Sequence, residues 1–198
     1  GTRNFLHEPA MSQQQMQQAL NTGIELAENC QAKGCNVLCL GEMGIGNTSP
    51  SSVWMSLWGN LPLTSCVGSG SGLNIAGEKH KLAILEQAVS HFKCQPLPHN
   101  DPATIIQYFG GFEMVAAIGA MLRAAELRMI VLVDGFIMSA CMLAASKLNL
   151  AVLDYAVFGH CGDESGHRQL LALMQAQPIL QLGMRLGEGT GALCAYPI

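Results

Sequence analysis

The chain contains 198 residues, of which 49% are hydrophobic and only 12% are charged. A chain of this length and composition can bury a sizeable core, which excludes an intrinsically disordered protein and favours a single domain over residues 1–198. The 10 basic and 14 acidic residues give a net charge of −4 and form no basic cluster, so we expect no nucleic-acid partner.

Membrane insertion and secretion are not expected. The most apolar segment, residues 129–150, is interrupted by Asp134 and Lys147. Arg3 and Glu8 break up any apolar signal segment at the start. The eight cysteines form no Cys-x-x-Cys pair and most lie in apolar segments, so we predict buried, reduced thiols in a cytoplasmic protein rather than a disulfide framework or a zinc site.

The first predicted element is a long helix. Ser12 and Gln15 form a capping-box pair, and apolar residues then recur at helical spacing from Met16 to Ala27. Further helices are predicted over residues 51–58, 76–92, 102–108, 112–127, 136–147 and 168–175.

Four short apolar runs predict strands that alternate with these helices. They cover residues 36–40, 129–133, 155–158 and 179–182. Each is followed by a polar, glycine-containing loop and then by a helix. This order predicts an α/β domain with a mainly parallel sheet and helices on both faces, in a Rossmann-like arrangement.

Ligands of open parallel sheets bind beyond the carboxyl ends of the strands. The loops at these ends are residues 41–50, 134–135, 159–167 and 187–191. In the first loop, Asn47, Thr48 and Ser49 can cap the next helix, whose amino end suits a phosphate. The loop matches no Walker motif, so an ordinary tight turn between strand and helix is the alternative explanation of its glycines.

Two glutamates are candidates for acid–base chemistry. Glu188 lies between Gly187 and Gly189, where the absence of side chains lets a ligand approach, and a carboxylate there suits a general base. A glutamate favoured by the amino end of a helix is the alternative. Glu42 follows the first strand in a matching position, and two acids beside one sugar carbon suit glycosyl transfer.

Four other side chains have both a functional and an ordinary interpretation. Lys81, which follows the glycine-rich loop 68–72, is either a solvated charge or a point cation for a phosphate. His160 and His167 do not have the spacing of zinc ligands, so loop or dimer contacts are expected instead. Met43 can pack on a flat aromatic ligand.

Several motifs occur together in a fixed order. They are Gly-Glu-Met-Gly-Ile-Gly-Asn-Thr-Ser-Pro at residues 41–50, Gly-Gly-Phe-Glu at 110–113, Val-Asp-Gly-Phe at 133–136 and Arg-Leu-Gly-Glu-Gly-Thr-Gly-Ala at 185–192. Gly-Thr-Arg-Asn-Phe at 1–5 and Glu-Pro-Ala-Met at 8–11 precede them. With these motifs, the whole sequence closely resembles the nicotinate-nucleotide–dimethylbenzimidazole phosphoribosyltransferases of cobalamin biosynthesis.

The resemblance implies that ribose 5-phosphate passes from nicotinate mononucleotide to 5,6-dimethylbenzimidazole, giving α-ribazole 5′-phosphate and nicotinate. It implies small-molecule substrates, no cofactor or metal, and a homodimer. Its catalytic residues would be Glu188 as the base and Glu42 beside the sugar carbon. Its substrate-binding residues would be Met43, Gly44, Gly46, Asn47, Lys81, Asp134, Gly135, Leu186 and Gly187.

The chain departs from this family in length. Family members extend further at both ends, and their amino-terminal part supplies polar groups to the benzimidazole pocket. We therefore expect this chain to be a piece of a longer protein. A catalytically inactive nucleotide-binding fragment is one alternative, and a hydrolase that uses water as the acceptor is another.

Overall fold

The computed structural model describes residues 1–70 and 72–198. The strands in this part of the chain are β1 (Val37–Leu40), β2 (Ile130–Val133) and β3 (Ala156–Phe158). The α-helices are α1 (Gln13–Ala32), α2 (Thr48–Gly59), α3 (Ile75–Cys94), α4 (Pro102–Phe109), α5 (Phe112–Glu126), α6 (Phe136–Leu148), α7 (His167–Leu173) and α8 (Thr190–Ala195). Short 3-10 helices cover Leu63–Ser65 and Leu150–Tyr155.

The three strands form one parallel sheet in the order β1-β2-β3, which confirms the predicted α/β fold. The predicted strand over residues 179–182 is wrong. Only one bridge forms there, between His160 and Leu180. Pro178 precedes this segment, and Gly183 follows it with a left-handed φ of 60°. Three backbone hydrogen bonds join Ile179 and Leu180 to residues 158–161, and the extended run then ends before Gly183.

The two faces of the sheet have different surroundings. Leu38, Val131 and Phe158 lie on one face and pack into a hydrophobic core made mainly by the helices. Successive strand residues point to opposite faces, so Cys39 and Leu132 belong to the other face. There, the Cys39 thiol lies 3.9 Å from the carbonyl oxygen of Gly189, directly before α8.

Helix α1 begins as the sequence predicts and packs closely on α5. The backbone N–H of Gln15 donates to the Ser12 hydroxyl, and the Ser12 N–H donates to the Gln15 side chain, which completes the capping box. A Cβ at Gly23 would lie 1.8 Å from the Ala116 carbonyl oxygen. Only glycine therefore permits the observed approach of the two helices.

The prediction that most cysteines are buried is wrong. Cys66 and Cys141 are buried, whereas Cys35, Cys94 and Cys194 are exposed and the others are half-buried. All eight thiols are unpaired in the structure. The apolar runs around the exposed cysteines predicted burial, but each of these thiols lies at a helix end, in a turn or on an outer helix face.

Among the described residues, no helix combines the length and the apolar character needed to cross a membrane.

Candidate active site

A cavity of about 460 Å³ lies at the carboxyl ends of the three strands. It is the place at which a parallel sheet is expected to bind its ligand. Seven predicted site residues line it: Glu42, Met43, Gly44, Asp134, Gly135, Leu186 and Gly187. Gly46, Asn47, Lys81 and Glu188 were also predicted as site residues but do not line the cavity.

The carboxyl group of Asp134 holds the loop that carries Glu188. It is buried at the end of β2 and accepts hydrogen bonds from the backbone N–H groups of Gly189 (3.0 Å) and Ala192 (3.1 Å). Burial raises the pKa of this carboxyl, but the His160 ring and the two backbone donors outweigh burial and hold the pKa below its ordinary value. Asp134 is therefore an ionised anchor for the amino end of α8.

Residues at the end of β1 hold the same loop from a second side. The N–H of Glu188 donates to the Glu42 carbonyl oxygen at 3.0 Å. A Cβ at Gly41 would lie 1.9 Å from the Gly189 nitrogen, and one at Gly187 would lie 2.7 Å from the Glu42 carbonyl oxygen. The loop can approach β1 this closely only because glycine occupies these positions.

Glu188 itself adopts a left-handed backbone conformation, with φ of 61°. Residues other than glycine seldom adopt this conformation, and its cost is met by the contacts on both sides of the loop. The Glu188 side chain is exposed to solvent and lies outside the cavity lining. A general base at Glu188 would therefore act from an exposed position, without apolar cover from the described residues.

The Glu42 side chain belongs to a cluster that also contains Asn47 and Glu113. The Asn47 side-chain nitrogen donates to Glu42 Oε2 at 2.7 Å and to Glu113 Oε1 at 2.8 Å. Glu42 Oε1 is shielded from solvent and has no hydrogen-bond partner in the part of the chain that the structure describes. Burial raises the pKa of Glu42, and the negative charge of Glu113 raises it further. The hydrogen bond from Asn47 lowers this pKa but does not cancel the effect of burial.

Asn47 does not cap α2 with its side chain, although the sequence favoured that role. Its side chain is directed to the two carboxyl groups instead. Glu113 was not predicted as a site residue. Its position in the Gly-Gly-Phe-Glu motif was the one available signal, because no local pattern shows that the amino end of α5 approaches residue 42.

Lys81 joins two loops at the polar end of the cavity. Its ammonium group donates to the Thr48 hydroxyl at 2.9 Å and to the Gly68 carbonyl oxygen at 3.1 Å. Burial lowers the Lys81 pKa, and the nearby carboxylates of Glu164 and Glu78 oppose this change. Lys81 is therefore a half-buried cation that contacts Thr48, which lines the cavity.

Two histidines after β3, His160 and His167, are buried, and His167 makes a loop contact of the predicted kind, with the N–H of Gly162. His160 lines the cavity, and its Nε2 atom lies 3.4 Å from Asp134 Oδ1. Neither of its ring nitrogens has a hydrogen-bond partner among the described residues. The described residues contain no group of three or more His, Cys, Asp or Glu side chains arranged to hold a metal ion.

A family model described as Phosphoribosyltransferase matches residues 1–198. The chain belongs to this phosphoribosyltransferase family. The Bacteroides fragilis nicotinate-nucleotide–dimethylbenzimidazole phosphoribosyltransferase is 57% identical over 197 residues, which cover 100% of this chain and 56% of the relative. The Phocaeicola vulgatus protein of the same name is 57% identical over 198 residues, with the same coverage.

Solved structures agree with this assignment. A crystal structure of CobT from Thermus thermophilus superposes on this phosphoribosyltransferase chain with a TM-score of 0.92 and 34% sequence identity. The match covers 100% of this chain and 58% of the solved one. The chain thus spans a little over half the length of the curated relatives and of the solved chain that it matches.

Proposed function

We propose that this chain carries the ribose-transfer site of an enzyme that uses nicotinate mononucleotide and 5,6-dimethylbenzimidazole. The products are α-ribazole 5′-phosphate and nicotinate. The observation that carries the proposal is the cavity at the three strand ends, which Glu42 lines and where the Glu42 backbone carbonyl accepts a hydrogen bond from the N–H of Glu188. The family membership and the names of the relatives support the choice of substrates.

The reaction exchanges one C1′–N bond for another. A lone pair on a benzimidazole nitrogen attacks C1′ from the face opposite the pyridinium ring, which changes the β configuration to α. The electrons of the broken bond return to the pyridinium nitrogen, so nicotinate leaves without needing a proton. The proton on the other benzimidazole nitrogen passes to Glu188, and the Glu42 carboxylate stabilises positive charge that develops on the sugar.

The cavity lining offers groups for both parts of the nucleotide. Thr48 and the adjoining Lys81 provide hydroxyl and cationic groups for the phosphate. Met43 and Leu186 also line the cavity and provide apolar surface on which a flat base can pack. Holding both rings about C1′ removes much of the entropic part of the barrier.

The proposal is tested by incubating the chain with nicotinate mononucleotide, with and without dimethylbenzimidazole, and separating the products by chromatography. We expect α-ribazole 5′-phosphate only when the benzimidazole is present. Release of nicotinate without it would indicate hydrolysis and contradict the transfer reaction. If neither product forms, the chain does not hold a sufficient site, and the alternative of a nucleotide-binding fragment is tested by calorimetric titration with nicotinate mononucleotide.

Replacing the proposed base separates chemistry from binding. We expect Glu188→Gln to lower kcat by about 100-fold or more, because the benzimidazole no longer has a carboxylate to which it can pass its proton. The affinity for nicotinate mononucleotide should stay nearly unchanged, since the base acts on the other substrate.

Rapid-quench kinetics and calorimetric titration measure the two quantities. The matched control is Glu86→Gln, which removes an exposed glutamate on α3 and should leave both unchanged. An equal loss of nucleotide affinity and of turnover in Glu188→Gln would contradict the assignment of Glu188 as the base.

We further propose that residues 1–198 form one domain and that the protein acts as a homodimer in the cytoplasm. One continuous hydrophobic cluster that extends from Met11 to Met174 supports the single domain. The unpaired thiols fit a reducing compartment. The dimer follows from the family resemblance, and sedimentation of the protein at several concentrations tests it.

A further inference from the structure

We propose that Glu113 is a positioning residue for Glu42 and acts on it through the side-chain amide of Asn47. The inference deepens the proposed function, on which it rests, because Glu42 is the carboxylate assigned to the developing charge on the sugar. Glu113 does not line the cavity, so its effect must pass through the residues it contacts.

The hydrogen bonds define one orientation of the Asn47 amide. A side-chain amide nitrogen has two hydrogens, and here one is directed to Glu42 Oε2 (2.7 Å) and the other to Glu113 Oε1 (2.8 Å). The reversed amide would place its oxygen against both carboxyl groups. Glu113 therefore specifies the amide orientation that lets Asn47 hold Glu42.

Three elements meet in this cluster. Glu42 follows β1, Asn47 precedes α2, and Glu113 lies in the first turn of α5. A negative charge in that turn is favoured by the helix dipole, which stabilises Glu113 where it is. Asn47 is only 8% exposed, so its amide has little access to water as an alternative partner. The arrangement fixes one oxygen of Glu42 and leaves Oε1 without a partner.

Glu113 also changes the electrostatic surroundings of Glu42. The main cause of the raised Glu42 pKa is burial, and the negative charge of Glu113 raises it further. The Asn47 amide and the backbone N–H of Gly44 act in the opposite direction. From α6, Cys141 faces both carboxylates, and burial with these charges raises its thiol pKa well above the ordinary value, so the thiol is neutral.

The variant Glu113→Gln separates the charge from the hydrogen bond. Its amide oxygen can still accept from Asn47, while the negative charge is gone. In a ¹³C titration of the side-chain carboxyl groups, with the Glu42 signal assigned through Glu42→Gln, we expect the Glu42 midpoint to move to lower pH. Glu86→Gln, which removes a distant exposed charge, should leave the midpoint in place.

This titration needs no turnover, so its result is independent of whether the transfer reaction occurs. An unchanged Glu42 midpoint in Glu113→Gln would overturn the proposal. If the product assay fails but the midpoint shifts as expected, the proposed function is contradicted, while the link from Glu113 through Asn47 to Glu42 stands.

Kinetics give a second test. Glu113→Ala removes the acceptor for Asn47 and should lower kcat by about tenfold, the loss expected for one hydrogen bond in a charged cluster, with the KM for nicotinate mononucleotide within about twofold. In Glu113→Gln, the acid limb of the kcat profile should move to lower pH. An unchanged kcat in Glu113→Ala, or a rise in KM alone, would overturn the positioning role.

Discussion

His167 shows how one side chain fixes the loop after β3. Its ring is fully buried, its Nδ1 accepts a hydrogen bond from the Gly162 N–H (2.8 Å), and its Nε2 lies 3.1 Å from the Ser139 hydroxyl. Because Nδ1 accepts, the neutral ring carries its hydrogen on Nε2 and donates it to Ser139. Burial chiefly, with help from the nearby His160 ring, lowers the pKa of His167 to about 4.

This pKa predicts how stability depends on pH. In the unfolded chain the imidazole takes up its proton near pH 6.5, whereas in the folded protein it does so near pH 4. The stabilising contribution of the neutral ring is fully present above pH 6.5 and is lost as the pH falls to about 4. The loss amounts to about 3 kcal/mol in the free energy of unfolding.

Urea unfolding at a series of pH values measures this loss. His167→Gln has no side chain that gains a proton in this range. We expect this variant to be less stable at every pH, but its free energy of unfolding should change less between pH 6.5 and 4. The control His80→Gln removes an exposed histidine on α3 and should keep the slope of the parent protein. The same slope in His167→Gln as in the parent would contradict the assignment.

At the scale of elements, three strand ends act on one loop. Glu42 contacts it from β1, Asp134 from β2, and His160 from β3, where a Cβ at Gly191 would lie 1.9 Å from the His160 ring. Two of these contacts involve backbone groups of the loop. The conformation of Glu188 is therefore set by the sheet together with the Thr190 hydroxyl, which donates to the Gly187 carbonyl oxygen at 2.7 Å.

Replacing Asp134 should loosen the loop. Asp134→Asn puts an amide N–H₂ against one of the two backbone donors, so one hydrogen bond is lost and two donors face each other. We expect the amides of Gly189 and Ala192 to exchange with solvent about 10- to 100-fold faster, as the loss of a hydrogen bond to a charged group implies. Hydrogen exchange followed by NMR measures this directly.

Asp154→Asn is the matched control, because Asp154 is an exposed carboxylate in the 3-10 helix before β3. It should leave the exchange rates of both amides as in the parent protein. If the two amides exchange equally fast in Asp134→Asn and in the parent, Asp134 does not anchor the loop.

Local sequence patterns predicted most helices and strands but failed where a contact between residues far apart in the chain determines the structure. The capping box at Ser12 and the β-branched run of β2 depend on neighbouring residues, and both elements formed as predicted. The run at residues 179–182 looks similar but forms only one bridge. Whether it extends the sheet depends on its approach to β3, which the run itself does not encode.

The candidate site was predictable to a similar degree. Strand-end position alone indicated Glu42, Asp134 and the loop around Glu188, and the structure brings them together through the Glu42 carbonyl and the Asp134 carboxylate. The role of Asp134 as an anchor was not predictable, because its partners are backbone groups some 55 residues away. The exposure of Glu188 was likewise hidden, since a sequence pattern does not show what covers a loop.

At the scale of the whole molecule, Lys81 connects α3 to the loops at the sheet. A cation that is half-buried and close to the cavity should contribute to phosphate binding. We expect Lys81→Ala to weaken the affinity for nicotinate mononucleotide by about tenfold at low salt, with a smaller difference at high salt because ions screen the contact.

Calorimetric titration at both salt concentrations measures the effect. Lys79→Ala is the control, since Lys79 is an exposed lysine two residues earlier on the same helix. Equal affinities in the Lys81→Ala variant and the parent would mean that Lys81 only ties Thr48 to the 68–72 loop and does not contact the phosphate.

The loop beside the cavity is held through its backbone, so the side chains of Met43 and Leu186 do not contribute to the anchoring contacts. Their side chains are 69% and 63% exposed at the cavity edge. Exchanging such side chains alters which flat molecule fits while the anchoring contacts persist. For the proposed transfer reaction, we expect the acceptor preference to change by single substitutions that leave the fold intact.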